Sequence, residues 1–212
     1  MTFKKEKELV RKFLDAFELA SAENVADQLK CFISSDYIFK GYEPYGGEKG
    51  VNFDTSCDQF WRPILQAVQS LQRREDIFIA GVNRPMCLPK GSTKSVDKSI
   101  WVMSMGHYMG LFDRELFGLR PTGKMISIRY TEFHCVANNQ ITKTGMFIDV
   151  IGIMESAGAY PLPPSTGQYF MYPGPKTHDG ILTDDRSGFS FWLLSAVISK
   201  KISTPEKPRL RR

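Results

Sequence analysis

Apolar residues recur at helical spacing in the first third of the chain and at alternate positions further on. Over residues 5–20, Leu9, Phe13 and Phe17 share one stripe with Val10 and Leu14 beside it, and Lys4 can pair with Glu8 on the wet side, which predicts an amphipathic helix. Ser21 can cap a second helix in which Val25, Leu29, Phe32 and Ile33 recur. Ser35 to Phe39 reads as a short strand. Gly41 to Gly50 reads as a glycine-rich loop that lacks the order of a phosphate cradle. Thr55 with Asp58 resembles a capping box and opens a third helix, predicted over 57–71, with Phe60, Trp61, Ile64, Leu65, Val68 and Leu71 on its apolar face and Pro63 in its first turn. A strand over 76–80 and a loop over 83–98 follow.

From Ile100 the period becomes two. Strands are expected over 100–109, 124–136 and 140–149, with a Pro121-Thr122-Gly123 turn before the second and Asn138-Asn139 between the last two. Asparagine tolerates positive φ, so Asn-Asn between β-rich runs predicts a type I′ hairpin. Continuous pairing from that turn sets Glu132 opposite Gly145, Tyr130 opposite Phe147 and Ile128 opposite Asp149. Asp149, Phe147, Tyr130, Glu132 and His134 would then share one face, with Arg129, Met146 and Ile148 on the other; a single β-bulge would exchange these faces. Residues 150–157 form a brief helix with Gly158 placed to end it. Helices first and antiparallel strands afterwards make an α+β domain over 1–158, its curved antiparallel sheet covered on the concave face by the N-terminal helices. Residues 159–212 form an extended arm rich in Pro and Gly, a short apolar helix over 189–198 and a basic tail.

Composition excludes more than it selects. The 212 residues are 42% hydrophobic and 24% charged with a net charge of +5, and the excess lies in the terminal lysines and arginines without interleaved aromatics, which argues against nucleic acid as a partner. The longest apolar run is too short for a bilayer span, and the N-terminus is charged, so a cytoplasmic protein with no membrane partner is expected. Cys31, Cys57, Cys87 and Cys135 show no C-x-x-C spacing and are expected to be reduced. Three distant histidines give no metal-ligand spacing.

Gly106-His-Tyr-Met-Gly110, Leu119-Arg-Pro-Thr-Gly123-Lys, Ile128-Arg-Tyr-Thr-Glu-Phe133 and the run from Gln140 to Asp149 together resemble the SnoaL-like polyketide cyclase family of the NTF2-like superfamily. The resemblance spans about residues 8–158. It departs from the family where His107 stands one place before the usual histidine position, now Tyr108, and where Gly145 replaces a tryptophan. The resemblance implies a cone-shaped α+β domain and acid/base chemistry without metal or cofactor. Asp149 matches the family's general acid/base, with His107 or Tyr108 polarising a substrate carbonyl. A pocket shaped by Trp61, Trp101, Arg129, Tyr130, Glu132 and Phe147 would hold a small hydrophobic carbonyl compound.

Each of these residues also has a plainer role. Asp149 directly precedes a helix and can serve as its N-cap. Glu132 and His134 can pair on a wet sheet face, and Trp101 can simply fill core. Two functions therefore stand open: a cyclase, lyase or isomerase, and a non-catalytic ligand-binding or dimerisation module. A homodimer is expected because the convex face and the Tyr- and Pro-rich arm expose apolar surface.

Overall fold

The computed structural model describes residues 3–47, 49–83, 99–160, 163 and 180–183. The expected loop over 84–98, most of the arm, the helix over 189–198 and the basic tail lie outside the described residues. The elements are α1 (Lys4–Leu19), α2 (Val25–Lys30), β1 (Ile33–Lys40), α3 (Phe53–Ser56), a π turn (Cys57–Trp61), α4 (Arg62–Ala67), β2 (Val68–Val82), β3 (Ile100–Phe112), β4 (Lys124–Ala137), β5 (Gln140–Ile148) and α5 (Val150–Ser156). One five-stranded sheet has the order β1-β5-β4-β3-β2. Its ladders are antiparallel except at the edge, where β1 runs parallel to β5.

Helix α1 buries the expected stripe, with Val10, Phe13, Leu14 and Phe17 at 1% exposure or less. It lies over the concave side of the sheet: Phe13 meets His134 of β4 edge-on at 5.3 Å, and Phe17 meets Tyr108 of β3 at 6.1 Å. The run over 53–67 lies against α1, its Trp61 making ring contacts with Phe13 and Phe17. Its true cap is Asn52, whose side chain accepts from the Thr55 amide at 2.9 Å. Pro63 cannot donate to the carbonyl one turn back, and the helix widens into the π turn just before it, where the Arg62 amide bonds to Cys57.

The predicted end of this helix is wrong. It stops at Ala67, and Val68 and Leu71, expected on its apolar face, lie instead in the 15-residue strand β2. The residues at 68 and 71 suit either period, and pairing with β3 that runs from Val68 to Val82 outweighs another helical turn. Ser70, with φ of 54°, sits where the register slips between Gln69 and Gln72.

The hairpin is as expected at its tip: Asn138 and Asn139 have φ of 50° and 58°, and Ala137 pairs with Gln140. Further from the tip the expected register fails. Val136 pairs with Ile141 but Cys135 pairs with Lys143, leaving Thr142 as an extra residue whose hydroxyl donates to the Cys135 carbonyl. Beyond this bulge Tyr130 pairs with Ile148 and Glu132 with Met146, so Phe147 turns outward to 43% exposure while Met146 is fully buried.

A second bulge makes Asp76 the extra residue between Glu75, opposite Gly106, and Ile77, opposite Met105. Here β2 comes so close to β3 that a Cβ on Gly106 would lie 2.0 Å from the Arg74 carbonyl oxygen. Gly180 to Leu182 return to the free edge of β2 at Phe78, so this part of the arm does lie on the domain. The convex face carries half-buried Trp101 and Phe133 and exposed Phe147 and Met125. Among the described residues no helix is long and apolar enough to cross a membrane.

Two outcomes are expected. Gly106→Ala should lower unfolding free energy in urea by about 3 kcal/mol, the upper range for overpacking, whereas Gly145→Ala, whose Cβ would meet nothing within 4 Å, should be near neutral. The homodimer expected on the convex face is checked by light scattering; a monomer at micromolar concentration contradicts it.

Candidate functional site

The concave face carries a line of polar side chains that the ladder brings together one strand at a time. Arg73 of β2 stands opposite Tyr108 of β3, Ser104 of β3 opposite Glu132 of β4, and His134 of β4 opposite Thr144 of β5. Gly106 opposite Tyr130 leaves room for Tyr130 to stack on Tyr108, centroids 4.4 Å apart. Arg11 on α1 reaches Glu75 at 2.6 Å, and Glu75 accepts from Ser104 at 2.7 Å and from Arg73 at 3.3 Å. Arg73 donates to Glu132 Oε1 at 2.7 Å while its guanidinium lies 5.0 Å over the Tyr130 ring. Glu132 Oε2 faces His134 Nε2 at 3.4 Å, long for a hydrogen bond, and His134 Nδ1 meets Thr144 Oγ1 at 3.0 Å. The sequence allowed Glu132 and His134 to pair on a wet face. They do share a face, but both are fully buried.

Burial alone would lift the Glu132 carboxyl, yet Arg73 and His134 outweigh it and hold it below the usual glutamate range. Burial and the Glu132 charge push the phenols of Tyr37 and Tyr108 upward, so both remain hydrogen-bond donors at any physiological pH. Among the described residues Tyr37 Oη, Trp61 Nε1 and Tyr108 Oη have no hydrogen-bond partner, and Glu132 Oε2 and His134 Nε2 have only their long contact with each other. A buried polar atom left unpaired costs about 1–3 kcal/mol, so this grouping is a feature to be explained.

The expected site residues are divided by the sheet. Trp61, Tyr108, Tyr130 and Glu132 belong to the concave interior. His107, Arg129, Phe147 and Trp101 belong to the convex side, and Asp149 follows β5 there. Trp101 is half-buried with its Nε1 donating to Ser99, and Phe147 meets Tyr42 in a tilted ring contact at 5.3 Å. Asp149 is exposed and accepts from the Gly152 amide at 2.9 Å as the N-cap of α5. Asp149 and Phe147 lie on the convex side, but the expected meeting with Tyr130 does not occur, because the Thr142 bulge shifts that end of β5 by one residue. His107, Arg129 and Asp149 instead line a depression of about 170 Å³ on the convex side, with Ser127, Gly152, Glu155 and Ser156. Arg11, Tyr37, Arg73, Glu75 and Ser104 were not foreseen. Alternation of Arg73 and Glu75 was the available signal, hidden by placing them beyond a helix.

No protein-family model matches the chain, and no curated protein matches it. Solved structures do. A candidate SnoaL-like polyketide cyclase from Jannaschia sp. CCS1 is 13% identical, covers 77% of this chain and 96% of its own, and superposes with a TM-score of 0.51. IdmH, a candidate polyketide cyclase from Streptomyces antibioticus, is 12% identical over 71% of this chain and 96% of its own, with a TM-score of 0.51. The chain shares the fold of these structures, a curved five-stranded sheet with helices over its concave face. AclR from Streptomyces galilaeus, a candidate hydroxylase, reaches 0.50 at 13% identity over 76% of this chain and all of its own. Similar folds thus appear under different activity names, and at this identity the likeness is one of fold.

The acid limb of stability should report the network. A carboxyl depressed in the folded state binds its proton later than in the unfolded chain. Its contribution, present above the ordinary 4.5, is therefore lost as pH falls through the lower native value. Urea unfolding between pH 7 and 3 should show a shallower acid limb in Glu132→Gln than in the unmutated protein; equal limbs contradict the assignment.

Proposed function

We propose that the concave wall binds a small hydrophobic carbonyl compound and carries out cofactor-independent acid/base chemistry on it, of the cyclase, lyase or isomerase type. The observation that carries this reading is a group of buried polar atoms on one wall: Tyr37 Oη and Tyr108 Oη, without a hydrogen-bond partner among the described residues, beside Glu132 Oε2 and His134 Nε2, which face only each other at 3.4 Å. Two are phenol donors suited to a carbonyl oxygen and to the enolate it becomes. Glu132, ionised because Arg73 holds its other oxygen, is the acceptor for a proton next to that carbonyl. His134, facing the same carboxylate, returns the proton. Trp61 and Tyr130 supply apolar wall. The likeness to SnoaL-like cyclases supports the fold of such a site.

A second reading, a non-catalytic ligand-binding cone, is favoured by one observation. Arg73 lowers the proton affinity of Glu132, which makes it a weak base.

Binding of a panel of β-keto esters and polycyclic ketones is followed by tryptophan fluorescence, and turnover by product analysis. Tyr108→Phe should weaken binding by about tenfold, the loss of one hydrogen bond, while leaving thermal stability unchanged or higher because an unpaired hydroxyl is removed. Glu132→Gln should retain binding and lose turnover by about 10²-fold. Binding without turnover by the unmutated protein selects the second reading. No binding of any compound, or Tyr108→Phe and Tyr37→Phe variants that bind equally well, overturns the proposal.

A further inference from the structure

The depression on the convex side is lined by His107, which belongs to a dyad that the interior reading does not use. The bulge in β2 turns Asp76 outward, and its Oδ2 lies 3.1 Å from His107 Nδ1 on β3. Both side chains are shielded, at 5% and 13% exposure. A carboxylate at that nitrogen holds the proton of a neutral imidazole on Nδ1 and leaves Nε2 as an acceptor. Nε2 is itself buried and has no partner. Directly across the ladder from His107 stands Arg129, and Ser127 is its diagonal neighbour on β4. Arg129 makes no ion pair or side-chain hydrogen bond among the described residues, although Asp149 and Glu155 line the same depression. Asp149 is turned instead to the Gly152 amide.

We propose that this depression is a binding site for a small hydroxycarboxylate. The planar guanidinium of Arg129 matches a carboxylate with two parallel donors, and His107 Nε2 accepts from a hydroxyl next to it. Ser127 presents a further hydroxyl at the same place. At about 170 Å³ the space is smaller than the roughly 300 Å³ at which drug-sized sites begin, so the ligand is a short-chain acid. Asp149 and Glu155, which also line the depression, disfavour anions of higher charge, which selects a monoanion. The Asp76 bulge accounts for the close approach at Gly106: without a Cβ there, β2 can come near enough to seat the carboxylate on His107. This site lies on the opposite side of the sheet from the one proposed above and does not depend on it.

The test uses the full chain in its solution assembly, with sodium lactate as probe and propionate as its counterpart lacking the hydroxyl. Long-range ¹H–¹⁵N spectra follow the ring nitrogens, and His107→Gln identifies the His107 signals. Lactate should move the Nε2 resonance along a saturable curve with a Kd on the order of millimolar, as a ligand of so few atoms allows. Propionate should bind about tenfold more weakly. Arg129→Gln, a change at a half-buried surface position, should weaken lactate by about tenfold without altering the fold reported by the remaining spectrum. A Nε2 resonance that does not move with lactate, equal binding of both acids, or an Arg129→Gln variant that binds as before overturns the proposal.

Discussion

Arg73 and Glu132 meet in the interior of the cone at 2.7 Å, with 4% and 0% of their side chains exposed, and most of the concave face is arranged around that contact. Neither charge could be buried alone, since an unpaired ion in the core costs several kcal/mol. Their meeting requires Arg73 on β2, Ser104 on β3 and Glu132 on β4 to point the same way at the same level, so the pair favours one register across three strands. Glu75 continues the line outward to Arg11, which ties α1 to the sheet by a charge as well as by Phe13 and Phe17. His134 and Thr144 continue it toward β5. The charges of Arg11, Glu75, Arg73 and Glu132 balance, which is why so polar a wall can sit under an aromatic core.

The sheet separates two chemistries. On the concave side, phenols and a carboxylate lie among Trp61, Phe13 and Phe17, where low polarity strengthens each hydrogen bond they offer. On the convex side, the Asp76 and His107 dyad lies beside Arg129, which forms no ion pair among the described residues, at a small depression. Both arrangements trace to places where the ladder departs from regularity. The bulge at Asp76 sets one dyad member, and the bulge at Thr142 decides that Asp149 ends outside the cone as a helix cap.

The elements and the cone were legible because period and turn chemistry agree over long stretches: Phe13 and Phe17 repeat at helical spacing, strands β3 to β5 alternate, and Asn138-Asn139 admits only a tight hairpin. The composition of the site was less legible. A bulge inserts one residue without any distinctive side chain, and Thr142 looks like any strand residue. Yet its effect is to send Phe147 out and Met146 in. Val68 to Leu71 satisfied a helical period as well as a strand, and reading them as helix hid the alternation of Arg73 and Glu75. The resemblance to SnoaL-like proteins carried the fold correctly, while the position it assigned to the acid/base, Asp149, falls on a different face from Tyr108 and Tyr130. Glu132 and His134 read as a pair on a wet face; what makes them a buried site is Arg73, 59 residues upstream of Glu132, where only the fold brings it near.

The central claim is that one buried ion pair sets the concave wall, and a double-mutant cycle on Arg73→Met and Glu132→Met tests it most directly. Each single change leaves a buried charge unpaired and should cost about 3–5 kcal/mol in urea unfolding, whereas the double variant should lose at least about 2 kcal/mol less than their sum. Additivity within about 0.5 kcal/mol would mean that the two residues do not act as a pair, and would contradict the account.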